Sequence, residues 1–176
     1  MGSFYTQILV RESNEARCAE VMHTFRRSSV IIPAHKGITV VCDKLSEDQS
    51  FDTLDSVAMT LSHKLNTPTV ALLNNDDDWL GFRFFDKGEF VGSLLIGHTI
   101  FSLNGSINML KRFINPNAST IKLYLVFIKP YLFQFRRHRD IAQILDLPAR
   151  SVGMGYKYIT TDDHPEDYDK SDFIKT

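Results

Sequence analysis

Cysteine is scarce in this chain. Its two residues, Cys18 and Cys42, belong to no C-x-x-C pair, which excludes zinc-ribbon and thioredoxin-type chemistry. Both sit among apolar neighbours, where buried reduced thiols are expected. Long apolar runs are missing as well, and none approaches the ~18–20 residues that a membrane span needs. With 9 Gly and 6 Pro in 176 residues, collagen-like and low-complexity architectures are excluded. Neither sign of charge dominates: 20 Lys and Arg stand against 21 Asp and Glu, a net charge of −1. A dedicated nucleic-acid binder would carry an excess of base.

Motifs of known chemistry are equally sparse. There is no G-x-S-x-G elbow, no H-E-x-x-H and no P-loop, so neither a serine hydrolase, a zincin nor a P-loop nucleotidase is indicated. Gly153-Met154-Gly155-Tyr156 follows a helical segment, whereas a dinucleotide loop precedes one. It reads better as a bulge or close packing in a last strand. No cofactor is expected. No basic region leads into an apolar stretch at the N-terminus, so the expected compartment is the cytoplasm, with no membrane contact. Met1-Gly2-Ser3-Phe4-Tyr5-Thr6 fits the loose myristoylation pattern, but it lacks the basic cluster that a stable anchor adds.

What is present is an ordinary globular composition, 43% apolar, 23% charged and 11% aromatic. It predicts one α+β domain over residues 1–160 and an acidic, flexible tail over 161–176. Phe4–Val10 reads as a strand. Ser13 can cap a helix whose residues Cys18, Val21, Met22 and Phe25 share a face. Val30–Ile32 and Ile38–Cys42 read as paired strands around a His35-Lys36-Gly37 turn, with Pro33 demoting one of them to an edge. Phe51, Leu54, Val57, Ala58, Leu61 and Leu65 mark the clearest amphipathic helix, stopped by Asn66 and Pro68. Thr69–Leu73 is a buried-type strand. Trp79–Phe85 and Glu89–Leu95 flank Asp86-Lys87-Gly88, a hairpin signal.

The second half is more helical. Ser106 can cap a helix through Ile114. Residues Ile121–Ile128 favour a strand by type, but Ser119 can cap a short, mostly buried helix there, and helix is the reading taken. A further helix runs from beyond Pro130 to Asp146 with Phe135, His138, Ala142 and Leu145 on one stripe. Alternation of Val152, Met154, Tyr156 and Tyr158 predicts a final strand over Ser151–Ile159. The whole predicts a largely antiparallel sheet of six or seven strands. Its N-terminal part runs β-α-β-β-α-β, as in a ferredoxin-like arrangement, followed by a hairpin extension and a helical C-terminal section.

Two polar clusters stand out. Asp76-Asp77-Asp78 ends a strand and precedes Trp79. Clustered carboxylates suit Mg²⁺ or Ca²⁺, but the spacing is wrong for an EF-hand, and Asn and Asp are also ordinary turn residues. Beside an aromatic, the same residues suit protein recognition, with the ring as anchor and the charge as steering. The basic counterpart is Arg136-Arg137-His138-Arg139. Residues 104–150 hold eight Lys and Arg against two Asp, while 161–176 hold six Asp and Glu against two Lys. Adjacent basic residues spread around a helix axis, which dilutes the patch. His138, on the apolar stripe, reads as a hydrogen-bonded core histidine.

The chain resembles a family of small bacterial proteins with no established activity. One block of likeness runs through Gly37–Asp43, the following helix with Leu65-Asn66, Leu73–Asp78 and Asp86-Lys87-Gly88-Glu89. The other comprises Arg137-His138, Ile141-Ala142, Leu145–Pro148 and Val152–Tyr158. Ile38, Asn75 and Asp146 stand where the family pattern has Trp, His and Gly. The resemblance implies a fold and a bacterial origin but no reaction, and it draws attention to Asp76–Asp78.

The function expected is that of a non-catalytic cytoplasmic binding protein of toxin-neutralising or regulatory type. It would recognise a protein partner through Asp76, Asp77, Asp78 and Trp79. The alternative is a Mg²⁺- or Mn²⁺-assisted enzyme on a phosphate-containing substrate, with metal at Asp76, Asp77 and Asp78 and phosphate at Arg136, Arg137 and Arg139. Nucleic-acid binding through the basic helix ranks third and is not expected from the charge balance.

Overall fold

The structure is a computed structural model describing residues 3–12, 14–76, 78–161 and 173–176. Eight strands form one sheet: β1 (Tyr5–Val10), β2 (Ser29–His35), β3 (Ile38–Asp43), β4 (Thr69–Asn75), β5 (Trp79–Asp86), β6 (Glu89–Gly97), β7 (Phe101–Asn104) and β8 (Ile174–Lys175). They lie in the order β7-β6-β5-β4-β1-β3-β2-β8, and every pairing is antiparallel. Helices α1 (Glu15–Thr24) and α2 (Phe51–Leu65) cover one face, and α3 (Asn108–Phe113), α4 (Thr120–Ile128), α5 (Gln134–Leu145) and α6 (Tyr156–Thr160) cover the other. The fold is therefore α+β with the sheet between two helical layers.

Burial on both faces explains why the central strands read as unbroken apolar runs. All six residues of β1 are buried. Ile8 and Val10 join Cys18, Met22, Leu54 and Leu61 in the core beneath α1 and α2. Tyr5 and Leu9 point the other way, into a core with Phe82, Phe84, Phe113, Leu123, Ile141 and Leu145. Each such side chain contributes about 1.5–3 kcal/mol when fully buried. The turns use the residues their geometry demands. Lys36-Gly37 and Lys87-Gly88 have φ of 47°, 82°, 53° and 86°, the two positive values a type I′ hairpin requires.

Several expectations are corrected. The predicted last strand, Ser151–Ile159, is instead a 3-10 turn (Ala149–Ser151) followed by α6. Gly153, at φ 78°, breaks the extended run. The Gln7 amide donates to the carbonyls of Ser151 and Met154, holding the segment across the sheet. Two strands were not expected, β7 and the two-residue β8. Ser13 lies outside the described residues, and Asn14 is the observed cap of α1, accepting from the Ala16 N–H at 3.1 Å. The two-residue β8 pairs outside β2 at Val30 and Ile31, so the edge expected from Pro33 holds, among the described residues, only for the part of β2 beyond Ile31. Pro33 falls where the β2–β3 register slips, between Ile32 and His35.

The flexibility expected of 161–176 concerns mainly residues 162–172, outside the described set. The last four residues return to the fold: Phe173 is buried in the core and Thr176 bonds the backbone of Ser29. Helix α4 forms as read, with Ser119 accepting from the Lys122 N–H at 3.3 Å. It is not mostly buried, since Leu123, Val126 and Phe127 point inward and the rest of its apolar residues face solvent.

Candidate protein-binding face

The β4–β5 turn sits at one end of the sheet. Asp76 adopts a left-handed conformation, φ 47°, which Asp tolerates because its short side chain bonds locally. The Asp78 N–H closes the turn on the Asn75 carbonyl at 2.8 Å, and the Asp78 carbonyl accepts from His98 N–H at 3.2 Å. Asp76 and Asp78 are both exposed. Asp77 lies outside the described residues.

Trp79 begins β5 and is half-buried. Its ring stacks on Phe51, the first residue of α2, with centroids 5.8 Å apart. Gly81 makes this possible, since a Cβ there would stand 2.8 Å from the tip of the Phe51 ring. The Arg83 guanidinium lies 5.1 Å from the Phe51 centroid and 4.7 Å from that of Phe90, and it pairs with Asp55 at 2.6 Å. Burial pushes the Asp55 carboxyl above its usual range, against the pull of Arg83. Trp79, Phe51, Arg83 and Phe90 thus form a continuous aromatic and cationic ladder. Each cation–π step of this kind adds about 0.5–1 kcal/mol at a partly exposed site.

The approach of α2 adds carboxylates that the sequence reading left out. Gln49 bonds the Asn74 carbonyl at 3.4 Å, and Phe51 stacks on Trp79. Asp48 and Asp52, both exposed, flank these two anchoring residues. The segment 48–52 is thus anchored to the strand end that carries the turn, through Gln49 and Phe51. In the sequence Phe51 stands only as the first residue of an apolar stripe, and nothing local links Asp48 or Asp52 to the turn. The signal that links them to the turn is Gly81, the small residue alternating with Trp79 and Arg83 on one side of β5.

The basic cluster behaves differently. Arg136 and Arg139 are exposed and lean over the rings of Phe133 and Phe135, at 5.7 and 6.0 Å. Arg137 is buried, donates to Gln134 Oε1 at 2.7 Å and to the Lys129 carbonyl at 2.8 Å, and lies 4.8 Å from the Tyr131 ring centroid. Its guanidinium is committed to the α4–α5 junction. His138 is fully buried, with Nδ1 2.7 Å from the Tyr5 hydroxyl and the rings stacked at 5.6 Å. Burial drives its pKa down to about 3. The described residues contain no group of three His, Cys, Asp or Glu arranged to hold a metal ion, and among them no helix is long and apolar enough to cross a membrane.

Comparison of the chain with protein-family models, with curated proteins and with solved structures finds no match to any of them.

Proposed function

We propose that this is a non-catalytic binding protein that recognises a basic surface on a protein partner. The contact is the end of the sheet that carries Asp76, Asp78 and Trp79, with Asp48, Phe51 and Asp52 beside it. One observation carries the reading: Phe51 stacks on Trp79, and each of these two rings has exposed carboxylates beside it in the chain, Asp48 and Asp52 with the one, Asp76 and Asp78 with the other. An aromatic anchor inside an acidic rim supplies affinity from the ring and steering from the charge. A regulatory or toxin-neutralising task suits such a face. The two buried free thiols support a reducing, cytoplasmic setting.

The strand order β4-β1-β3-β2, with α1 and α2 on one face, supports reading residues 5–75 as a ferredoxin-like unit. That reading concerns the fold and brings no function with it. The phosphate-binding alternative has less support, because Arg137 is buried and both its Nη groups bond inside the protein.

The test is capture from a lysate of the source cell by immobilised wild-type protein and by an Asp76→Asn/Asp78→Asn variant, followed by mass spectrometry. The reading expects a basic protein retained by the wild type and lost from the variant. Identical capture by the two would contradict it.

A further inference from the structure

Helix α4 carries two apolar faces, and only one is used by the core. Leu123, Val126 and Phe127 are buried under it. On the outside, Ile121 is 74% exposed, Tyr124 46%, Leu125 55% and Ile128 75%, and the following loop adds Leu132 at 80% and Phe133 at 45%. Water-facing apolar residues are common singly, but six large ones within 13 residues form a patch of the size that marks an interface. With about 200 Å² for each side chain when fully exposed, they present roughly 750 Å² per molecule. A standard interface takes about 800 Å² from each partner.

The spacing of the stripe identifies what it fits. Ile121, Tyr124, Leu125 and Ile128 are symmetric about the midpoint between 124 and 125. At about 100° per residue, 121 and 128 lie within about 10° of the stripe's centre line, with 124 and 125 about 50° to either side. A helix with this pattern is complementary to itself when turned end for end. Under a two-fold axis through that midpoint, Ile121 of one molecule meets Ile128 of the other, and the Tyr124/Leu125 pair meets its own copy. This is the isologous contact that closed dimers use. We infer that the outer face of α4 is the interface of a symmetric, antiparallel homodimer. The inference uses none of the residues of the acidic face and does not depend on it.

The charges around the stripe give the contact a signature. Lys122 and Lys129 lie on the same flank of α4 and are exposed. The two-fold brings that flank of each molecule to the same side of the interface, so the two Lys122 ammonium groups line one rim with the two of Lys129, each of the latter 3.9 Å from its own Asp140 carboxylate. Salt screens their repulsion and leaves the apolar contact intact. Self-association therefore tightens as salt rises. An acidic peptide or an anionic membrane on the same basic-rimmed face would bind more weakly as salt rises.

The experiment is sedimentation of the purified chain from 1 to 200 µM, at about 50 and 500 mM NaCl, with a covalent test of register. The expected result is a mass twice the 20.1 kDa of the single chain, tighter at the higher salt. Leu125→Glu, which sets a charge beside the two-fold axis, should weaken the dimer at least about 30-fold, with circular dichroism confirming that α4 remains folded. Under mild oxidant, Ile121→Cys/Ile128→Cys should cross-link into a covalent dimer. Ile121→Cys alone should not, because positions 121 of the two copies are about 10 Å apart along the axis at 1.5 Å per residue. Cys18 and Cys42 are buried and do not compete. A monomer at every concentration overturns the inference, as does a dimer unaffected by Leu125→Glu or a single-Cys variant that cross-links as well as the double. Binding of a monomer to phosphatidylserine vesicles through this face, lost at high salt, would overturn it in favour of a membrane surface.

Discussion

His138 should make this protein progressively less stable as the pH falls below about 6.5, and the size of the effect follows from its surroundings. The imidazole is fully buried, its Nδ1 meets the Tyr5 hydroxyl, and Nε2 has no hydrogen-bond partner among the described residues. Nothing there compensates a positive charge, so burial alone pushes the folded pKa down to about 3, against about 6.5 in the unfolded chain. Between those values the unfolded state binds the proton and the folded state does not, so stability rises with pH across that window. Taking the pH from 7.5 to 5.5 then costs about 1.4 kcal/mol, and on to 4.5 about 2.7 kcal/mol in all. For a domain of this size the first step lowers the midpoint of thermal melting by about 3–6 °C. The remaining described histidines, His23, His35, His63 and His98, are exposed. The assay is urea denaturation at pH 7.5, 6.5, 5.5 and 4.5 for the wild type and for His138→Phe. The variant starts lower by about 1–3 kcal/mol, because the Tyr5 hydroxyl loses its imidazole partner, but the His138 share of the loss, about 1.4 kcal/mol from pH 7.5 to 5.5, should be absent from it. If His138→Phe keeps the wild-type slope, or if His138 titrates near 6.5 by NMR in the folded protein, the reasoning is refuted.

Glu47 should act in the opposite sense. It is buried and accepts the Tyr156 N–H at 2.7 Å, yet burial outweighs its hydrogen bonds and raises its pKa. Its favourable contribution is complete below the unfolded value near 4.3 and is lost as the pH rises through the folded one. Glu47→Gln should therefore gain on the wild type between pH 4 and pH 8 in denaturant titrations, while Glu47→Ala, which removes the acceptor, costs about 1–3 kcal/mol. Gly155→Ala places a Cβ against the Glu47 carboxylate. It should cost about 1–3 kcal/mol, and a double-mutant cycle should show part of that cost relieved by Glu47→Ala. Burial raises the Cys18 thiol to about 12 and the Cys42 thiol further, so an aromatic disulfide reagent should label neither in native buffer and both in guanidinium.

The legible parts of the fold were those where local chemistry and tertiary need agree. Helix α2 announced itself because its apolar spacing, Asn66 at φ 51° and Pro68 all mark the same element. The β5–β6 hairpin did so because Lys87-Gly88 supplies both positive φ values. Asp146 ends α5 in the left-handed conformation, φ 60°, a position that Asp tolerates and glycine takes without strain. Residues 151–159 misled because alternating apolar residues also occur in an irregular segment clamped from outside. The clamps, Gln7 and Glu47, lie more than 100 residues away. The exposure of α4 was illegible for a similar reason. A helix apolar all round reads as buried, and only the packed structure reveals which side has no cover. In the candidate site, Asp76, Asp78 and Trp79 were found by their clustering. The link of the 48–52 segment to that strand end was not, because it rests on the stacking of Phe51 on Trp79 and the Gln49 bond to Asn74.

The most direct test of the proposed function is the association rate with the captured basic partner. It is measured by stopped flow for the wild type and for Asp48→Asn/Asp52→Asn/Asp76→Asn/Asp78→Asn, at about 50 and 300 mM NaCl. Electrostatic steering by the acidic face predicts a wild-type rate that falls at least about 10-fold with salt, and a variant that is slow and nearly salt-independent. Equal rates with equal salt dependence for the two proteins would contradict the account.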